Sequence, residues 1–469
     1  MRAGCAGGMG DPRGCNRLSM PGKKERSARG PNLRGHTRTE GVLAMADNAS
    51  RLAIHGGPKA VQTDTGDIFT WPIITEEDEQ AVLEVLRAGT MSNWDVTKLF
   101  EQDFAEWHGV EHCLGFNTGT AALHAAMWAC GVGVGDEIIA PSLTYWASAL
   151  PAFSLGATIV FADVERDTLV LDPADLEHRI TARTKAIVPV HYCGYPCDMD
   201  AIMESAERHG VKVIEDVSHA HGARYKGRLV GTLGHLAAMS VMSGKALPVG
   251  EGGLLLTNDQ ALYEKSFVFG HYERTSEATL PELQEYKGLP WGGHKYRMHQ
   301  LSSAVGRVQL RHYGARLEEI QKSMNYFWDL LEGVPGLKAH RPPKDSGSTC
   351  GGWYAAHGLY RPEELGGLPI ARFCEAVRAE GVGTSPGANF PLHLHPLLNT
   401  ADIYGHGKPT RLANTDRDVR QPAGSLPVTE KAGSEIYSIP WFKHYRPQVI
   451  EEHAEAFRKA AECADELRA

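Results

Sequence analysis

Residues 211–222 read VKVIEDVSHAHG. The VKVI run has the length and β-branched composition of a strand buried on both faces, and it stops at carboxylates, the last being Asp216. DEIIAPS (136–142), ATIVFADV (157–164) and KAIVPVHYCG (185–194) share this texture. Stretches of helical periodicity lie between them, such as TAALHAAMWACG (120–131) and DMDAIMESAERHG (198–210). This alternation predicts an α/β fold with a mainly parallel sheet flanked by helices. Upstream, TEEDEQAVLEVLRAG (75–89) begins with Thr75 ahead of a run of acids, a favourable helix start, and ends at Gly89.

Beyond residue 300 the texture changes. A long helical pattern covers 300–333 and leads into GWYAAHGLY (352–360), which alternates as a strand does. Helix RFCEAVRAEG (372–381), strand-like GVGTSPG (381–387), a His- and Pro-rich loop and a closing helix over 447–469 follow. The expected organisation is a large domain over 46–310 and a smaller α+β domain over 311–469. Residues 1–45 are rich in Gly, Pro and Arg, with three acids before Met45. They lack the apolar core of a secretory signal, and the expectation is a disordered or mis-assigned leader with Met45 as the start.

A net charge of −9 argues against nucleic-acid binding, and no apolar run is long enough to span a bilayer as a helix. The nine scattered cysteines fit reduced thiols in a cytoplasmic protein. Cys193 and Cys197 have metal-like spacing, but no matching second pair follows, so no metal is expected.

Lys245 sits in SVMSGKALPVGEGG (240–253). A phosphate-binding P-loop would need glycine at Met239 and a hydroxyl at Ala246, so that reading fails. NTGTAALH (117–124) is a better phosphate seat: Gly119 permits close backbone approach, and Thr120 stands at a helix start. A plain capping threonine explains the same residues. Asp216, at a strand end, could pair with a protonated ring nitrogen, join a metal with His219 and His221, or cap a loop. His219 and His221 would point to opposite faces of an extended chain, which disfavours a shared metal. Tyr145, in PSLTYWAS (141–148), could stack on a planar cofactor or pack in the core. A phosphate seat, a stacking ring, a carboxylate and a lysine 29 residues later beside Ser240 are together the parts that hold pyridoxal 5′-phosphate.

The chain resembles the DegT/DnrJ/EryC1/StrS family of aminotransferases that act on sugars and cyclitols. The resemblance runs from about residue 55 to the end. It is carried by GTAALHAAM, PSLTYWAS, GATIVFADVERDTLVLDP, RTKAIVPVHYCGYPCDMDAI, VIEDVSHAHGARYKGRLVG, GKALPVGEGG and LPVTEKAGSEIYSIPWF. It implies the fold-type-I architecture of pyridoxal-phosphate transferases, with a seven-stranded type of large domain, and a homodimer with active sites at the interface. Lys245 is then the catalytic lysine and covalent anchor. Gly119, Thr120, Ala121 and Ser240 approach the phosphate, Tyr145 stacks on the ring, Asp216 pairs with its nitrogen, and His219 lies against its 3′-oxygen. GHKYRM (293–298) resembles the segment that reaches the partner's site, with Lys295 where the family carries asparagine. Lys295, Arg297 and His393 are candidate substrate or partner-subunit contacts.

The implied activity is transfer of an amino group from L-glutamate or L-glutamine to a nucleotide-linked keto-sugar or a keto-cyclitol. Amino-sugar or aminocyclitol biosynthesis, for an antibiotic or a polysaccharide, is the expected setting. A dehydratase or aromatising synthase of the same fold, or a non-catalytic cofactor-binding regulator, are the alternatives. The loop 404–421 is expected to border the site, its His, Arg and Lys meeting a diphosphate or forming ordinary polar surface.

Overall fold

The protein is described by a computed structural model, in which residues 51–468 are defined. The expected leader lies outside the described residues. Strands β1 (His112–Phe116), β2 (Glu137–Pro141), β3 (Thr158–Ala162), β4 (Thr184–Ile187) and β5 (Lys212–Asp216) precede a small hairpin, β6 (Arg224–Tyr225) and β7 (Arg228–Leu229). Strands β8 (Leu236–Ser240) and β9 (Gly253–Thr257) complete a seven-stranded sheet in the order β1-β9-β8-β5-β4-β2-β3. The pairs β8-β5, β5-β4, β4-β2 and β2-β3 are parallel. β9 runs antiparallel to both its neighbours. The expected mainly parallel α/β sheet is therefore present.

Alternate residues along these strands enter two different cores. Ile139, Val160, Val213 and Met239 join one, while Ile138, Ile159, Ile214 and Ala238 join the other. Both faces are thus buried, which is why the strands read as continuous apolar runs rather than as polar–apolar alternation. Helix α1 (Glu76–Ala88) starts as expected: the Thr75 N–H donates to the Asp78 carboxylate at 2.9 Å. Helix α2 (Asp95–His108) contributes Phe100 and Phe104 to the first core. Helix α3 (Gly119–Ala129), apolar almost throughout, lies in the second.

The long helix spans Gln300–Leu330, so residue 310 falls within it. Beyond it, β10 (Leu337–Ala339), β11 (His357–Tyr360) and β12 (Ile436–Ser438) form an antiparallel sheet. This sheet, the long helix and helix Pro447–Glu462 share a third core, which Leu52 and Ile68 also enter. The alternating stretch 352–360 is a strand only from His357. Residues 351–356 instead form an irregular wedge, because Trp353 and Ala355 adopt left-handed backbone angles of 56° and 53° that a strand cannot hold. Among the described residues, no helix is long and apolar enough to cross a membrane.

Candidate active site

Where the parallel strands end, their following loops enclose a cavity of about 410 Å³. This is the edge at which open α/β sheets bind ligands. Gly119, Thr120, Tyr145, Asp216, His219, Ser240 and Lys245 all line it. These residues span more than a hundred positions of sequence, and the crossovers of the sheet bring them together.

Helix α3 points its amino end at the cavity. Its cap, Thr118, accepts the Ala121 N–H at 3.0 Å. The Gly119 and Thr120 N–H groups belong to the first turn and have no acceptor within the helix. Glycine is required at 119 by contact: a Cβ there would lie 2.8 Å from the Ser240 backbone. Gly253, paired with Ser240 across β8 and β9, would likewise drive a Cβ into the Thr118 carbonyl. Two glycines thus let the helix start press against the end of β8, bringing N–H donors and the Ser240 hydroxyl to one wall. Ala121, whose N–H is already taken, is buried and off this wall.

Asp216, 4% exposed, is held at both oxygens. Oδ2 accepts the Ser148 hydroxyl at 2.7 Å and Oδ1 accepts the Ser218 N–H at 3.0 Å. Because Ser148 donates to Asp216, Thr144, 3.0 Å away, donates to Ser148. This relay orients the carboxylate and keeps its charge hydrogen-bonded in a buried place. Lys245 is 7% exposed, and burial lowers its pKa to about 8, with Asp216 and then Cys193 partly opposing the fall. Its Nζ lies 3.8 Å from the centroid of the Tyr354 ring. His219 accepts the Cys193 N–H at Nδ1, 3.3 Å, so the neutral ring carries its hydrogen at Nε2. Burial first, and then the Lys245 charge, hold His219 well below the usual imidazole range. His221 does not line the cavity; residues 218–222 form turns, with the Ala220 N–H donating to the Val217 carbonyl at 2.9 Å, and not the extended chain on which the opposite-face expectation rested.

The other candidates stand elsewhere in the chain. Lys295 is exposed, with Nζ 5.8 Å from the Tyr272 ring. Arg297 lies 4.0 Å from Glu273. His393 is fully buried, with Nδ1 2.8 Å from the Ser142 hydroxyl and Nε2 3.0 Å from Glu430. It is a tie between β2's end and the helix at 427–435 rather than a cavity wall. His393→Ala should therefore cost about 1–3 kcal/mol of stability, read as a lower thermal midpoint with an unaltered cofactor spectrum. A spectrum that changes while the midpoint holds would put His393 in the site instead. In the 404–421 loop, Arg411 is buried against the Ile159 and Val419 carbonyls, and Arg417 is bonded to Glu137 at both oxygens. Arg420 pairs with Asp418. These three are structural cations, while His406 and Lys408 remain exposed.

Sequence reading misses Tyr354, Ser148, Ser218, Glu251 and Asn389, which also line the cavity. Ser148 lies within PSLTYWAS, but its partnership with Asp216 joins positions 68 apart and leaves no local signal.

The profile of the DegT/DnrJ/EryC1/StrS aminotransferase family matches residues 72–457. This chain belongs to that family. The spore coat polysaccharide biosynthesis protein SpsC of Bacillus subtilis (strain 168) is 35% identical over 337 residues, 70% of this chain and 84% of SpsC. The crystal structure of an aminotransferase from Psychrobacter cryohalolentis superposes with a TM-score of 0.71 at 29% identity, covering 82% of this chain and 97% of that one. DesI, solved in the presence of its TDP-sugar product, gives 0.70 at 26% identity, covering 88% and 96%. DegT/DnrJ/EryC1/StrS aminotransferases depend on pyridoxal 5′-phosphate and have fold type I, and this chain is such a transaminase.

The cavity of this family member fits the cofactor. Its Gly119–Ser240 wall offers backbone and hydroxyl donors suited to a phosphate, and a glycine-only contact keeps that wall open. The cavity also carries a buried carboxylate for a cationic ring nitrogen and one amine of lowered pKa.

Proposed function

We propose that the enzyme moves an amino group from L-glutamate or L-glutamine to the keto group of a nucleotide-linked sugar, within amino-sugar biosynthesis. The convergence of Lys245, Asp216 and the α3 start on one cavity carries the catalytic part of this reading. The acceptor class is supported by the likeness to SpsC, a polysaccharide biosynthesis protein, and to DesI, which has a TDP-sugar product.

When bound, pyridoxal 5′-phosphate supplies an aldehyde for covalent capture of amines and a ring that accepts electrons. The protein does the rest. The Gly119 and Thr120 N–H groups and the Ser240 hydroxyl seat the phosphate. The Tyr145 ring, half exposed on the cavity wall, would cover one face of the cofactor ring. Asp216, fixed by Ser148 and Ser218, keeps the ring nitrogen protonated. His219, with its hydrogen at Nε2, would donate to the cofactor's 3′-oxygen. Lys245 Nζ would anchor the cofactor covalently and, once released by the donor, would carry a proton from the carbon that bears the donor's nitrogen to the carbon that was the cofactor's aldehyde. A pKa of about 8 suits a group that must both take and give a proton near neutrality. We place the enzyme in the cytoplasm as a homodimer, in which Lys295 and Arg297 serve the partner's site.

A visible absorption spectrum tests the reading directly. Adding L-glutamate or L-glutamine alone should convert the band of the lysine-bound cofactor to that of the pyridoxamine form. A nucleotide-linked keto-sugar should then restore the first band with formation of an amine. A band that neither donor moves would sink the transamination proposal. A converted band that such keto-sugars leave untouched would sink the acceptor class only.

A further inference from the structure

The wedge at residues 351–356 is seated with unusual closeness beside Lys245. A Cβ at Gly351 would collide with the His221 carbonyl and the Ala223 backbone, and one at Gly352 with Ala246, the residue after the lysine. Trp353 and Ala355, on either side of Tyr354, both hold left-handed backbone angles that side chains rarely adopt. Such conformations persist only where the surroundings impose them, and they concentrate where a side chain must be aimed. The side chain aimed here is Tyr354. Its ring centroid lies 3.8 Å from Lys245 Nζ and 4.9 Å from the His219 ring. Trp441 meets its edge at 90°, with centroids 6.2 Å apart, and packs near Trp71 at 5.3 Å. Trp71 closes the circuit: its Nε1–H donates to the Lys245 carbonyl at 2.9 Å. Lys245 is therefore held at both ends by aromatic residues from outside the central sheet.

We propose that Tyr354 is a positioning residue whose ring face holds the unlinked Lys245 amine as an ammonium, poised at the cavity wall between its covalent and proton-carrying tasks. The inference rests on the reading of Lys245 as the catalytic lysine for its purpose, but not for its geometry. An aromatic face attracts a cation through its quadrupole, and more strongly where water is excluded. Among the described residues, no carboxylate lies within 4.0 Å of Lys245 Nζ, whereas the Tyr354 ring centroid lies 3.8 Å from it. The other groups that act on Nζ are Asp216 and Cys193, which favour the ammonium, while His219 on the cavity wall and His221 behind it are kept neutral by burial. Glu251 stands on the same cavity wall. The phenol hydroxyl is not needed for this role, and the ring is.

Competitive acetylation of the full-length chain, freed of cofactor by hydroxylamine, reads the Lys245 amine by itself. Trace acetic anhydride is applied across the alkaline range, and each lysine is quantified by mass spectrometry against the exposed Lys431. Tyr354→Phe should leave the Lys245 midpoint unchanged. Tyr354→Met, of similar bulk, should lower it by about half to one and a half pH units, because the ammonium loses its stabiliser. A ring-fluorinated phenylalanine at position 354 keeps the shape, reverses the face potential and should act as methionine does, whether or not the methionine variant folds. A Lys245 midpoint that does not move with the fluorinated ring would overturn the proposal. Because no cofactor is present, that failure is distinct from failure of the transaminase reading, which the donor spectrum decides.

Discussion

Lys245→Ala should lower transamination by at least roughly a thousandfold, since in the proposed mechanism it removes both covalent anchoring and the proton carrier, and positioned acid–base catalysis alone is worth about 10²–10⁴. No other amine lines the cavity among the described residues. The protein should still fold, because the ammonium is desolvated where it sits and alanine relieves that cost. A pH signature accompanies the change. In the wild type, burial lowers the lysine from 10.5 to about 8. Between those values the unfolded chain holds a proton that the folded chain has lost, so stability rises with pH across the window. Below it both states are protonated and the full burial cost is present. The alanine variant lacks this rise, which melting curves from neutral to alkaline pH would show. Lys245→Arg keeps a cation but cannot be a neutral nucleophile near pH 8, and it should be as inactive as alanine. Turnover within about tenfold of wild type in either variant would remove Lys245 from the mechanism.

Asp216→Asn should retain cofactor through Lys245 but lose roughly a hundred- to a thousandfold in rate, the usual cost of deleting one oriented electrostatic partner in a dry site. Asparagine preserves the shape and can still accept the Ser218 N–H. It cannot stabilise a protonated ring nitrogen by charge. Ser148→Ala provides the graded comparison. It removes one of the bonds that orient the carboxylate and leaves the charge, so the expected loss is about tenfold, near 1 kcal/mol. Steady-state rates with L-glutamate and L-glutamine, normalised to bound cofactor, make the measurement. Equal rates for wild type and Asp216→Asn would mean that the ring nitrogen has another partner.

Much of this site is legible in the chain itself. The strands at 137–141, 158–162 and 212–216 announce themselves because a strand buried on both faces must be apolar throughout. Thr75 and Asp78 announce a helix start because a capping box is a contact between residues three apart. Gly119, Asp216 and Lys245 are legible as chemical types at the ends of such elements. Tyr354 is not, because its stretch alternates like a strand. In the folded chain Gly351 and Gly352 press against Ala223 and Ala246, and Trp353 and Ala355 hold left-handed angles that a strand cannot. His393 and Arg411 resemble ligand contacts because an exposed and a buried side chain are the same letter in a sequence. Their partners, Ser142 and Ile159, lie some 250 positions away.

The order of helices and strands, their two-sided burial and the inventory of reactive groups are determined along the chain, since periodicity, capping and turn chemistry act between near neighbours. The antiparallel return of β9, the entry of Leu52 and Ile68 into the C-terminal core, the Ser148 relay to Asp216 and the Tyr354 ring over Lys245 are decided only in the folded molecule. Each is a contact between segments apart in sequence, fixed by which surfaces pack against each other and not by the residues on either side.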